Sequence, residues 1–480
     1  MNRQNPPFSA VHGLSYHLLT LGCPKNEVDS DLLETRLAAA GWRRASHPRE
    51  ASVLMVNTCS FIASALEETV EEVLELADLK AETGARLVVA GCMVARYGVA
   101  VLEELLPEVD VFLPFEGYLK VAEILQRCVA GDLGGEMEDA LPEWEAAGGR
   151  GVPARAGEGE DVPCPGLTPY RRISSTLERG FVYIKIAEGC SRRCTFCTIP
   201  AIRGRLRSRT VEDIRDEALF FASRGAREMV LVAQDTTGYG RDIYGMPRLH
   251  RLLEELAALE GDFRIRVMYM HPEGLDGQVM RAMRDPRVCS YLDLPFQHAD
   301  EGVLRAMGRR GDARSYLELL ERARERLGEV AVRATLMVGF PGESREAYAR
   351  LRRFVREARF DWLALFGYSR EEGTPAFSLP VSVRKETVRS RIAELTEIQE
   401  EIMREKASGL VGRELDVLVE GKSPEAPGFW EGRSWREAPE VDGVIFIRDA
   451  PGVQPGTCRK VRIVSTEGID LHGVVAGEKG

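Results

Sequence analysis

At 480 residues the chain has length for about three domains, and 44% hydrophobic residues suffice for large cores. A net charge of −11 argues against a chain dominated by nucleic-acid binding, and ten cysteines over this length do not form a small disulfide scaffold. The polar start MNRQNPPFSA lacks a signal pattern and no apolar run is long enough to cross a bilayer, so a reducing cytoplasm and no membrane partner are expected.

In chain order, residues 14–128 alternate strand-like and helix-like segments. YHLLTLG, from Tyr16, runs up to Cys23; VLMVNT, from Val53, to Cys59; LVVAG, from Leu87, to Cys92; VDVFL, from Val109, follows. Between them Leu66, Val70, Val73, Leu74 and Ala77 recur at helical spacing. This alternation predicts an open parallel α/β sheet. Each of the three cysteines then ends a strand, at the edge where such sheets bind ligands. Parallel strands lie about 5 Å apart, so three thiols far apart in sequence would meet there. On these grounds three buried structural cysteines are the first reading, and an iron–sulfur cluster with one iron unsatisfied is the alternative.

Residues 129–175 are rich in Gly, Pro, Asp and Glu and read as an acidic linker or insertion. Over 176–405 six strand-like runs follow: FVYIKIA, MVLVA, IRVMYM, SYLDL, VRATLMVG and WLALFGY. Amphipathic helices, such as Val211 to Ala222 and Arg314 to Arg326, separate them. Six β/α units predict an incomplete barrel, a partial (β/α)6 relative of the eightfold one. A helix from Val388 to Glu405 leads to the end. Over 406–477 the runs ELDVLVE, GVIFI and CRKVRIV, between Gly and Pro turns, predict a small antiparallel β-barrel.

After the first barrel strand comes Cys190-Ser-Arg-Arg-Cys194-Thr-Phe-Cys197. Three thiolates this close would hold three irons of a cubane cluster and leave the fourth for a substrate or cofactor. A zinc site is the alternative, but it normally shows four ligands. Arg192, Arg193 and Arg203 to Arg209 surround the trio, either against anionic charge or as a solvated basic face. Cys128, Cys164, Cys289 and Cys458 show no ligand spacing.

Cys-x3-Cys-x2-Cys is the signature of radical S-adenosylmethionine (SAM) enzymes, and the chain closely resembles the methylthiotransferase family among them. LGCPKNEVDSD (Leu21 to Asp31), VNTCSFI (from Val56) and AGC (Ala90 to Cys92) resemble its N-terminal cluster domain. KIAEGCSRRCTFCTIPAIRGRLRSR (Lys185 to Arg209) resembles its radical SAM loop. LVAQDTTGYGRDIYG (Leu231 to Gly245), DLPFQHAD (Asp293 to Asp300), LMVGFPGE (Leu336 to Glu343) and FGYSREEGTPA (Phe366 to Ala376) follow in the family's order. The C-terminal barrel over 406–477 resembles a TRAM domain.

The resemblance implies two [4Fe-4S] clusters, on Cys23, Cys59 and Cys92 and on Cys190, Cys194 and Cys197, with SAM as cofactor. It implies SAM cleavage to a deoxyadenosyl radical, hydrogen removal from a substrate carbon, sulfur insertion and methyl transfer from a second SAM. Phe196 would pack on the adenine ring or in the core. Gln234 and Asp235 would contact SAM's polar groups, with a capped turn as the alternative. Gly339 to Gly342 would admit the nucleoside. Gln297, a substrate candidate, and His298 face the same mouth; His298 reads equally as a core histidine.

One branch of the family modifies an adenosine in transfer RNA, the other an aspartate β-carbon in the twelfth small-subunit ribosomal protein. LGCPKN and APEVDGVIFI (Ala438 to Ile447) resemble the ribosomal-protein branch. From Gly409 onward twelve acidic residues face nine basic ones, a balance suited to a basic protein partner, free or in the assembled subunit. Glu440 and Asp442 are candidate contacts. An electron donor, a sulfur donor and RNA contact through the TRAM segment are further expected partners. The transfer-RNA reaction and a non-catalytic iron–sulfur RNA-binding or redox-sensing protein remain as alternatives. Ser60 stands where the family carries glycine, and the acidic stretch is longer than the family's pattern.

Overall fold

The computed structural model describes residues 13–132, 171–381, 383–449 and 451–477. Most of the acidic stretch, from 133 to 170, and with it Cys164, lies outside the described residues. Two compact units form. One takes the described residues up to Ser174 together with Ala201–Gly204; the other takes Ser175–Pro200 and the chain from Arg205.

The first unit is a parallel sheet of β1 (Ser15–Thr20), β2 (Arg43–Arg44), β3 (Val53–Thr58), β4 (Arg86–Gly91) and β5 (Val111–Leu113), in the order β2-β1-β3-β4-β5. The sequence reading anticipated four of these strands and missed the two-residue edge strand β2. Both faces are covered, which is why the strands read as continuous apolar runs. Val53 and Met55 pack on one side with Leu33, Leu37 and Leu125. Leu54 and Val56 pack on the other with Val73, Leu76 and Leu102. The covering helices include α1 (Pro24–Ala39) and α2 (Ala63–Thr83); α3 (Cys92–Tyr97) starts directly after β4.

The second unit begins with six parallel strands: β6 (Phe181–Lys185), β9 (Glu228–Val232), β10 (Arg264–Val267), β11 (Tyr291–Gln297), β12 (Ala331–Val338) and β13 (Trp362–Gly367). Two strands of two residues, β7 (Ala187–Glu188) and β8 (Arg207–Ser208), pair with each other. Parallel ladders join β6-β9-β10 and β11-β12-β13, and a bridge between Ile265 and Val288 links the two sets. Among the described residues β6 and β13 each pair on one side only, so the barrel stays open. Val182, Ile184, Met229, Leu231 and Ile265 face the surrounding helices in one large core. Alternation turns Tyr183, Lys185, Arg266, Tyr291 and Asp293 to the concave side. The helix Lys385–Ser408 then leads to the last domain.

That domain is a closed barrel of β14 (Glu414–Lys422), β15 (Phe429–Arg433), β16 (Ile445–Arg448), β17 (Cys458–Glu467) and β18 (Asp470–Val475), ordered β14-β15-β16-β18-β17. The sequence reading of an antiparallel barrel needs one correction: β16 and β18 pair in parallel. The barrel and the β/α domain form one compact unit because charged side chains bind them from beneath the strands. The buried carboxylate of Glu228 takes Arg264 and Arg266 of β10 at 2.6 Å and Arg433 of β15 at 3.3 Å. Arg266 also donates to the carbonyls of Trp435 and Ser434 at 2.9 and 3.2 Å. No helix among the described residues is long and apolar enough to cross a membrane.

Candidate functional site: two cysteine trios

In the first unit Cys23 follows β1, Cys59 follows β3 and Cys92 opens α3 after β4. These strands are neighbours in the sheet, so the three thiols share one edge. The strand order reverses between β1 and β3, and sheets of this order take their ligands at that crevice. Cys23 is half-buried; Cys59 and Cys92 are buried. The three thiols interact electrostatically, and burial pushes the Cys59 thiol up and the Cys92 thiol up to about 11. A cationic centre that takes thiolates therefore displaces protons on binding.

Two glycines set the approach of these ligands. A Cβ on Gly22, at φ +99°, would lie 2.6 Å from Cys59 Cβ. A Cβ on Gly91, at φ +94°, would lie 2.5 Å from Asn57 Oδ1 and 2.6 Å from the Thr58 backbone. Gly91→Ala is expected to cost at least about 1–3 kcal/mol through backbone strain. Thermal unfolding would show the loss, with lower iron content in the first unit.

Asn26, in the first turn of α1, braces the edge by donating to Leu21 O at 2.8 Å and Thr58 O at 3.0 Å. Asn57 donates to Asn26 O at 3.0 Å and Ser30 Oγ at 2.9 Å. Ser60 fits beside Cys59: it is fully buried, its carbonyl accepts from Arg96, and its hydroxyl has no hydrogen-bond partner.

In the second unit Cys190, Cys194 and Cys197 are half-buried on a loop whose base is pinched by β7 and β8. The loop spans the carboxyl ends of the barrel strands, held from four directions. Arg192 Nε donates to Asp235 Oδ2, after β9, at 2.7 Å, and its NH1 donates to Glu273, after β10, at 3.0 Å. Thr195 N donates to Met307 O, beyond β11, at 3.0 Å, and Ala376 N, beyond β13, donates to Thr195 O at 2.8 Å. Burial pushes the Cys190 thiol up and the Cys197 thiol up to about 12. Among the described residues no group of three or more Cys, His, Asp or Glu side chains is arranged to hold a single metal ion. A cubane takes each thiolate on a separate iron, so its ligands need not converge on one point.

The other candidates take distinct roles. Gln234 donates from Nε2 to Glu188 Oε1 at 2.5 Å, while Glu188 Oε2 accepts from Lys185 at 2.8 Å. Gln234 Oε1 is buried and has no donor, so a ligand ammonium at the mouth would satisfy it. Asp235 is committed to Arg192 and to Thr237 Oγ1 and Gly238 N, as the cap of a turn. Burial raises its carboxyl, but Arg192 and Thr237 outweigh it and hold it below the usual range. Its part is to position the cysteine loop through Arg192.

Phe196 is half-buried, edge-to-face with Phe340 at 6.4 Å. Gly339 at φ +85° packs on Val388, and its N–H donates to Glu343 at 2.7 Å. Gly342 also has a left-handed φ, +90°. His298 is a core residue: Nδ1 accepts from Asp300 N at 3.0 Å and Nε2 lies 3.4 Å from Glu343. Gln297 is buried at the end of β11 with φ +69°, an uncommon conformation for a non-glycine residue and one that concentrates at functional sites.

The reading of Asp442 as a partner contact is corrected. Its carboxylate is fully buried, accepts from Tyr291 OH at 2.6 Å and Ala438 N at 2.8 Å, and lies 3.6 Å from Arg333. Burial raises its carboxyl to about 6 against the pull of Arg333. Glu440 is partly exposed but pairs with Arg179 at 2.7 Å and accepts from Tyr183 OH at 2.9 Å. Both acids fasten the small barrel to the strands above. Arg209, read as part of a basic face, is instead buried against Asp213 and Glu217.

Sequence reasoning placed Arg203 in the basic group but missed its destination. It lies in the first unit, where NH1 donates to Asp29 at 2.7 Å and NH2 donates to Asn26 Oδ1 at 2.6 Å and Cys92 Sγ at 3.2 Å. Asn26 itself was legible only through the Cys-Pro-Lys-Asn motif that carries it.

Comparison with known proteins follows this anatomy. The profile of the uncharacterized protein family UPF0004 matches residues 15–114, that of the Radical SAM superfamily 184–355 and that of the TRAM domain 411–476. The ribosomal protein uS12 methylthiotransferase RimO of Syntrophus aciditrophicus is 41% identical over 96% of this chain and 98% of its own length. That of Moorella thermoacetica is 42% identical over 90% and 93%. Among solved structures, the radical S-adenosylmethionine methyltransferase TsrM from Kitasatospora setae aligns over 92% of this chain and 80% of its own, at TM-score 0.55 and 16% identity, a likeness of fold. With this coverage and both cysteine trios in place, the chain belongs to the RimO family of ribosomal protein uS12 methylthiotransferases.

Proposed function

We infer that this chain is a radical SAM methylthiotransferase that replaces a β-hydrogen of an aspartate in ribosomal protein uS12 with a methylthio group. The observation that carries the reading is the pair of trios: three thiols on adjacent strand ends of one unit, three more on a braced loop at a barrel mouth. A single trio would serve SAM chemistry alone; a second one gives sulfur its own site. The ribosomal substrate also supports a cytoplasmic location.

Bound to the two trios, [4Fe-4S] clusters and SAM supply hydrogen abstraction, sulfur and methyl, with electrons and sulfur from outside donors. The chain's own contribution is placement. Asp235 and Glu273 hold Arg192 and with it the Cys190 loop. Lys185 compensates the buried Glu188 charge, and Glu188 turns the Gln234 amide so that Oε1 is left to accept. Phe196, Phe340 and the Gly339 to Gly342 turn form the apolar side suited to a nucleoside. Gln297 stands at the same strand ends as the substrate-facing candidate.

Removing the free acceptor tests the SAM assignment. Gln234→Leu is expected to raise the Kd for SAM roughly tenfold, the worth of one hydrogen bond to a charged group. Equilibrium binding to the cluster-loaded protein measures this, and an unchanged Kd would remove Gln234 from the site. The substrate is tested by mass spectrometry of uS12, free and in the small subunit, after anaerobic reaction with SAM and a reductant. A methylthio group on one aspartate is expected. Modification of transfer RNA with uS12 untouched would overturn the substrate. The TRAM barrel would serve as an RNA contact only when the assembled subunit is the better substrate.

A further inference from the structure

Arg203 is 3% exposed by side chain, and the buried carboxylate of Asp29 is its counter-charge at 2.7 Å. Its guanidinium reaches three acceptors: Asp29 and Asn26 on α1, and Cys92 Sγ at the head of α3. The Phe115 ring lies beneath it, 4.2 Å from its central carbon, and the preceding Ile202 is buried in the core with Leu33 and Leu37. The planar fork therefore rests one face on a ring and donates from both of its ends, a geometry that lysine cannot reproduce. The sulfur it touches is a candidate cluster ligand, and Asn26 begins one turn after another, Cys23.

We propose that Arg203 is a positioning residue of the N-terminal cluster site, donating a charge-assisted hydrogen bond to the Cys92 thiolate and thereby setting the reduction potential of the cluster held there. This rests on the reading that Cys23, Cys59 and Cys92 hold a cluster. Hydrogen bonds to ligand sulfur are among the main determinants of cluster potential, and a buried cation favours the more negative, reduced state. Arg203 also ties the start of α1 to the start of α3, which fixes the spacing of Cys23 and Cys92. The backbone that carries Cys197 delivers this cation six residues later, so one continuous segment serves both trios.

The experiment uses the full chain with Cys190, Cys194 and Cys197 all changed to alanine, so that one cluster alone reports. A parent that takes up no cluster would defeat the two-cluster reading itself, before Arg203 is at issue. In a loaded parent, redox titration followed by electron paramagnetic resonance compares Arg203→Met and Arg203→Lys. The potential is expected to move negative in Arg203→Met and less so in Arg203→Lys, which keeps the charge but loses the fork. A fully loaded Arg203→Met protein at the parent potential would overturn the proposal, because an anchor that only supports folding changes occupancy and not potential. If Arg203→Met fails to load, Arg203→Lys decides: a negative shift supports the proposal and an unshifted potential overturns it.

Discussion

Replacing Cys92 with alanine is expected to abolish methylthio transfer to uS12 while SAM cleavage to deoxyadenosine continues. Transfer is expected to fall more than about a thousandfold, over 4 kcal/mol in the barrier. Cys92 is buried at the end of β4, in the unit that does not contain Cys190, Cys194 or Cys197. Its loss leaves the braced loop after β7 untouched, with Arg192 still on Asp235. Cys197→Ala is the reciprocal case and is expected to lose both cleavage and transfer. Chromatography of deoxyadenosine and mass spectrometry of uS12, run on the same reactions, separate the two. Loss of both products in Cys92→Ala would mean that the N-terminal trio is needed for radical formation, not for sulfur.

Glu228→Ala is expected to lower stability of the second unit by about 3–5 kcal/mol, because it strands buried arginines. Arg266 is fully buried and Arg433 nearly so, and Glu228 is the carboxylate they share. Arg433 keeps Glu420, but Arg266 would keep backbone carbonyls and the Tyr291 ring and lose its paired carboxylate. The damage falls at the join of the β/α domain and the small barrel, so chemical denaturation should show the two separating.

The same carboxylate gives a pH signature. Burial pushes it up, but Arg264, Arg266 and Arg433 outweigh burial and hold it far below the usual range. The folded state thus binds its proton more weakly than the unfolded chain. Its contribution is complete above the ordinary glutamate value of about 4.3 and is lost progressively as pH falls below that. The acid side of the wild-type stability curve should therefore be steeper than that of Glu228→Ala.

What could be read in the sequence was whatever depends on neighbours along the chain. Cys190, Cys194 and Cys197 lie within one loop, so their spacing is their geometry. Cys23, Cys59 and Cys92 are distant, yet each ends an apolar run, and parallel pairing brings such ends together. The small barrel was harder. Its strands β15 and β18 carry Gly432 and Gly473, and the parallel pairing of β16 with β18 has no local pattern. Side-chain destinations were harder still. Asp442 reads as a surface acid in a Pro-Gly turn but meets Tyr291 and Arg333, 151 and 109 residues earlier. Arg203 reads as one of several loop arginines but lies on Cys92. Long-range partners of charged side chains leave no periodicity to detect.

The number of clusters is the quantity on which the account turns. Anaerobic reconstitution of the full chain, followed by iron and sulfide analysis and Mössbauer spectroscopy, measures it directly. Two cubane clusters per chain are expected, falling to one when either trio is replaced by alanine. One cluster in the unaltered chain, unaffected by loss of Cys23, Cys59 and Cys92, would contradict it.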